Sequence, residues 1–204
     1  KMIIFKIKIY LIIQILFVTI FFSTSQTKIL NKFNEGNYIA DYFSGTILLN
    51  NEQYDKSYSY LKKLNGLEEN HLNYSTKYLY SLVNLGKFNE ALNYSKKLEK
   101  KKINIFENNL IIGIYYLKNK NYQLANRYFQ NLKDREARSL LGDFVSNALL
   151  NWTSFGSLDF QGAKKKILEI DPKFDNLKRI QNVFVHCFYR EKKTELYFDE
   201  LTSN

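Results

Sequence analysis

Three segments of the chain superpose without a gap at a fixed spacing of 34 residues, and that period constrains the fold more than any other feature. Gly45, Leu79 and Gly113 share one register; Tyr54, Phe88 and Tyr122 share a second; Ser57, Ala91 and Ala125 share a third. Leu64, Leu98 and Leu132 form a fourth, Leu48, Leu82 and Tyr116 a fifth, and Leu61, Ser95 and Phe129 a sixth that is degenerate in the middle. Periods of 20–50 residues belong to repeat arrays, in which one supersecondary unit cannot bury its apolar faces until a neighbour stacks on it.

Each unit reads as two short helices joined by a turn. In the third, Leu110, Ile111, Ile114, Tyr115 and Leu117 make a helix apolar on more than one face, Asn119 to Asn121 form the turn, and Tyr122, Ala125, Phe129 and Leu132 follow at helical spacing. The second unit has Gly86 where the turn needs a left-handed residue. A small residue on the first helix and Ala or Ser on the second allow close approach, and the large residue that opens the second helix is expected to pack into the next pair. One Pro in 204 residues leaves nearly every helix uninterrupted. The expected fold class is therefore an all-α solenoid of helix-turn-helix units.

The pattern resembles the tetratricopeptide repeat (TPR) family, on Gly45, Tyr54, Ser57, Leu61; Leu79, Phe88, Ala91, Ser95; and Gly113, Tyr122, Ala125, Phe129. The family's helix-A Trp and terminal Pro are absent, so the match rests on period more than on signature residues. The resemblance implies a right-handed α-α superhelix with repeats at about 38–67, 72–101 and 106–135. After Leu132 the register slips: a helix A at Leu140–Trp152 is followed four residues late by Phe160, Ala163, Ile167 and Ile170, with the extra length assigned to a Thr153–Ser157 loop. This gives an irregular repeat at about 138–171 and a partial one at 174–204, as in a fragment of a longer solenoid. With a lead-in at 26–36, the whole resembles signal-bearing TPR proteins of alphaproteobacteria.

Lys1, Lys6 and Lys8 precede an apolar run, Ile9–Phe22, and Ser23, Thr24 and Ser25 follow it. That is the layout of a secretory signal peptide over residues 1–25, or of a retained anchor over 2–22. Either reading places the body outside the cytoplasm, in a bacterial periplasm or on the outer face of the inner membrane. A lone Cys187, far from the cleavage region, excludes a lipoprotein anchor there and any disulfide framework.

Catalytic material is sparse. His71 and His186 are the only histidines, and His186 is adjacent to Cys187, but neighbouring helical residues point about 100° apart. Cys187 is expected to be a small buried hydrophobe and His186 a polar or edge residue. There is no phosphate-binding glycine loop and no metal-ligand spacing, so neither an enzyme nor a cofactor or metal is expected. The net charge of +10 collects largely as lysine clusters at repeated positions, such as Lys62 and Lys63, Lys96 and Lys97, and Lys164 to Lys166, which fits a solvated helix-B face. Since most aromatics fall at core registers, nucleic acid is not an expected partner.

In the TPR family helix A lines a concave groove. That implies a partner-binding surface of Tyr42, Thr46, Leu49 and Asn50 from the first repeat, Thr76, Tyr80, Val83 and Asn84 from the second, and Leu110, Ile114, Leu117 and Lys118 from the third. Asn50, Asn84 and Lys118 would form a polar ladder for an extended peptide, while Tyr42, Tyr80 and Leu110 supply apolar contacts. Tyr42 and Thr46 stand where family members that clamp a C-terminal carboxylate carry Lys and Asn, so that activity is not expected. The resulting expectation is a non-enzymatic protein-protein interaction scaffold of the cell envelope with a protein or peptide partner and no small-molecule substrate. The alternative is the interaction half of a longer envelope enzyme or assembly factor.

Overall fold

The computed structural model describes residues 36–133 and 140–203; the signal peptide or anchor expected over residues 1–25 lies outside them. Among the described residues there is no strand, and no helix is long and apolar enough to cross a membrane. The helices are α1 (Gly36–Asn50), α2 (Tyr54–Leu61), α3 (Leu72–Asn84), α4 (Phe88–Lys100), α5 (Phe106–Lys118), α6 (Tyr122–Lys133), α7 (Leu140–Phe155), α8 (Phe160–Leu168), α9 (Asp175–Phe188) and α10 (Thr194–Thr202). They belong to two compact units, one ending at Lys87 and the other beginning at Phe88.

In the first unit α1 packs on α2 through the smallest possible residue. A Cβ added at Gly45 would stand 2.8 Å from Cδ2 of Leu61, and the buried Ser57 hydroxyl donates to the Gly45 carbonyl at 2.8 Å. A serine is therefore as small as the alanine of this register and satisfies its own hydroxyl. α3 follows after a loop held by Gly66 at φ 111°, whose N–H donates to the buried Glu68 carboxylate at 2.8 Å. Tyr74 then donates its hydroxyl to the Leu61 carbonyl at 3.1 Å. The rings of Tyr58, Tyr78 and Tyr74 stack in sequence, and the Lys87 ammonium lies 4.6 Å from the centre of the Tyr58 ring.

The second unit repeats the same logic with larger residues. At Gly113 of α5 a Cβ would meet the Phe129 ring of α6 at 2.3 Å, so the ring occupies the space that any other residue would need. Ala125, Phe129 and Leu132 form one buried cluster, on which Leu110, Leu117, Leu149 and Leu150 pack from α5 and α7. Phe144, Ala148, Phe155, Ala163, Ile167, Ile170, Phe174 and Val185 form another, which joins α7, α8 and α9. Asp159 caps α8 by accepting the Gly162 N–H at 2.8 Å.

The period is written into the backbone of the turns. Glu52, Gly86 and Lys120, 34 residues apart, have φ of 58°, 68° and 58°. Each follows its helix with the same hydrogen bonds: Gln53 to Leu48, Lys87 to Leu82 and Asn121 to Tyr116, N–H to carbonyl, all at 2.9 Å. This is the six-to-one bond that closes a helix C-terminus around a left-handed residue. Only the second repeat places glycine there, and a side chain in the left-handed region costs energy that glycine does not. Lys120→Gly should therefore stabilise the third repeat by roughly 0.5–1 kcal/mol, read as a higher denaturation midpoint. A lower midpoint would show that the lysine side chain contributes more than its backbone costs.

Two expectations need correction. The extra residues of the fourth repeat do not form a loop at Thr153–Ser157, because α7 continues through Phe155, 16 residues against 13 for α5. Hydroxyl groups hold that last turn: Thr153 donates to the Leu150 carbonyl and Ser154 to that of Asn151, both at 2.7 Å. The large residue opening helix B also behaves unequally. Tyr54 meets Tyr80 edge-on at 6.2 Å and Tyr122 lies against Gly156, but Phe88 stays 64% exposed.

Candidate functional site

The twelve groove positions divide between core and surface. In the first unit Leu49 is buried, Tyr42, Thr46 and Thr76 are half-buried, and Asn50, Tyr80, Val83 and Asn84 are exposed. Tyr42 sits beside His71, with ring centres 4.8 Å apart, in a shallow cleft of about 290 Å³ that Tyr38, Ile39, Phe43 and Leu67 also line. Burial raises the Tyr42 phenol above its ordinary pKa, so it is a neutral hydrogen-bonding group at any physiological pH. Asn84 donates to the Tyr80 carbonyl at 2.9 Å, which ties one amide proton to its own helix and leaves the other, and the carbonyl oxygen, for a ligand. In the second unit Leu110 and Leu117 pack on the Ala125, Phe129 and Leu132 cluster, whereas Ile114 and Lys118 are exposed.

Leu49, Leu110 and Leu117 therefore support the helix pairs from within. Their exposed neighbours on the same helices present Asn50, Asn84 and Lys118 as the last residue of each helix A.

The groove register continues past the third repeat, beyond the twelve positions named from the sequence. Thirty-four residues beyond Lys118 is Trp152. In the fifth repeat Arg190 takes the left-handed place of Lys120, with φ of 56°. Counting back from it puts Ile180, Phe184, Cys187 and Phe188 at the positions of Leu110, Ile114, Leu117 and Lys118. The structure brings two of these registers together. The Trp152 and Phe188 rings meet edge-to-face with centres 5.7 Å apart, and the Trp152 indole N–H donates to Gln181 Oε1 at 2.7 Å. Phe155, almost fully buried, backs the indole at 4.7 Å. Phe184 and Phe188 remain 50% and 48% exposed. An anchored indole edge-on to one half-exposed phenyl ring, with Phe184 one turn earlier on the same helix, is a preformed apolar surface with its polar atom already satisfied.

The histidine and cysteine readings are exchanged. Cys187 is exposed and His186 is buried. His186 occupies the place of Leu48, Leu82 and Tyr116 on the inner side of helix A, whereas Cys187, in the register of Leu49, Val83 and Leu117, is exposed like Val83 and does not turn inward like the two leucines. Among the described residues no group of three or more His, Cys, Asp or Glu side chains is placed to hold a metal.

No family model matches this chain, and no curated protein does. Among solved structures it is similar to one described as the MamA RS-1 ArsTM double mutant, with a TM-score of 0.58 and 17% identity over 82% of this chain and 94% of that one. MamA is a TPR-containing protein. At that identity the likeness concerns the fold, and the fold is TPR-like: all-helical, with helices packed in neighbouring pairs.

Proposed function

We propose that this chain is a non-catalytic protein-interaction scaffold that holds a peptide segment or partner domain on its helix-A faces. A TPR-like fold supports a protein partner, because stacked helix pairs present long surfaces made of repeated positions. The observation that carries the reading is the Trp152, Phe184 and Phe188 surface. Aromatic residues set in a well-packed frame are the usual anchors of protein interfaces, and here Gln181 and Phe155 fix the indole before any partner arrives. The exposed Tyr80 and Asn84 offer a smaller mixed surface of the same kind in the first unit. The Lys-led apolar run at residues 1–25 supports export to the cell envelope, with the scaffold working in the periplasm or at the outer face of the inner membrane.

The test is affinity capture with tagged full chain after cell fractionation. The chain is expected in the envelope fraction, where it should retain a protein partner. Phe184→Ser with Phe188→Ser should lower capture at least tenfold, since interface anchors contribute about 2 kcal/mol or more, with circular dichroism unchanged because both rings are half exposed. Tyr80→Ala with Asn84→Ala tests the first unit separately. Equal capture by both double variants would remove the helix-A faces from the proposal.

A further inference from the structure

The C-terminal helix α10 is held by few contacts. None of its residues is buried, and an open groove of about 180 Å³ runs between Arg179, Asn182 and Val183 on α9 and Tyr197, Glu200 and Leu201 on α10. Its side-chain ties include Arg179 Nη2 donating to the Glu200 carbonyl at 3.4 Å and the ring contact of Tyr197 with His186. The imidazole lies between two rings, its centre 4.3 Å from that of Tyr197 and 4.8 Å from that of Phe160 on α8. It is only 4% exposed, and neither Nδ1 nor Nε2 has a hydrogen-bond partner among the described residues. Its register carries Leu48 and Leu82 in the first two repeats. An ionisable group thus occupies a slot built for an apolar one, at the contact that holds α10.

We propose that His186 is an acid-sensitive latch: neutral, it keeps α10 docked on α9, and when it takes a proton α10 releases and exposes the Phe160 side of the α8–α9 surface. Three titratable groups face it from the surrounding elements, Lys164 from α8, Glu191 from the turn after α9 and the Tyr197 phenol from α10. Burial disfavours the imidazolium most, Lys164 opposes it and Glu191 favours it, so the docked imidazole titrates below its ordinary value of 6.5. The sign follows. Above that value both docked and released forms are neutral and docking is at full strength. As pH falls below it, the released form binds a proton that the docked form resists, and docking weakens by up to about tenfold per pH unit until the docked imidazole itself titrates.

Hydrogen-exchange mass spectrometry of the full chain, with protection corrected for the intrinsic effect of pH, tests this. Between pH 7.5 and 5.0 the α10 amides should lose about 3- to 30-fold of their protection, while α7 and α8 keep theirs. His186→Leu, which restores the residue of the first two repeats, should hold α10 equally at both pH values. Should that variant fail to fold, Lys164→Gln replaces it and should shrink the loss at pH 5.0, because it removes the cation opposing the proton. The latch is overturned by an α10 that is unprotected at pH 7.5, by protection that does not change with pH, or by a loss shared equally with α7 and α8. It is equally overturned by the full loss persisting in the variant tested.

Discussion

Gly113→Val should unfold the third repeat, lowering stability by about 3 kcal/mol or more. In an exposed helix the same change would be mildly favourable, because glycine is a poor helix former. Here the added Cβ alone would stand 2.3 Å from Cε1 and 2.7 Å from Cδ1 of Phe129, and valine adds two methyl groups beyond it. The ring cannot move aside freely, since Phe129 is fully buried with Ala125 and Leu132. A loss of that size is a large fraction of the 5–15 kcal/mol that holds a typical domain. Urea denaturation followed by circular dichroism reads it. The smaller change Gly113→Ala should also destabilise, and adding Phe129→Leu should recover part of the loss by shortening the opposing side chain. An unchanged or raised midpoint for Gly113→Ala would contradict the close α5–α6 contact.

Phe155→Ala should cost about 3–5 kcal/mol, the usual range for emptying a buried phenylalanine site. The side chain lies in the cluster joining α7, α8 and α9. It also backs Trp152, the only tryptophan in the chain, so the emission of that residue reports the same event. Fluorescence should shift to the red as the indole loses its support, and partner capture should fall with it although Phe184 and Phe188 are untouched. A stable variant with unshifted emission would mean that Trp152 is positioned by Gln181 and Phe188 alone.

Much of the architecture was legible because the period lies in residues whose size the packing fixes. Leu64, Leu98 and Leu132 are all fully buried, as are Ser57, Ala91 and Ala125. Other features were hidden for physical reasons. The sixth register looks degenerate at Ser95 and the first at Leu79, yet both are buried. Thr153 and Ser154 read as loop formers by propensity, but their hydroxyls bond back to helix carbonyls and Thr153 also accepts from Asn126 at 2.8 Å. The candidate surface was legible only in part. The family register named helix-A positions without distinguishing Leu49 and Leu110, which turn inward, from Tyr80 and Ile114, which do not. Trp152 and Phe188 were missed because the slip after Leu132 conceals that they continue the ladder of Lys118.

The added turn of α7 bears on how such an array tolerates insertions. A helix turns 100° per residue, so one or two extra residues would swing the following apolar face away from its neighbour, whereas three or four bring it nearly back to its starting direction about 5 Å further along. The fourth repeat starts its second helix four residues late and still buries Ala163 and Ile167 against α7 and α9. What passes from helix to helix within this repeat is angular phase, and residue count is free to change in steps of one helical turn.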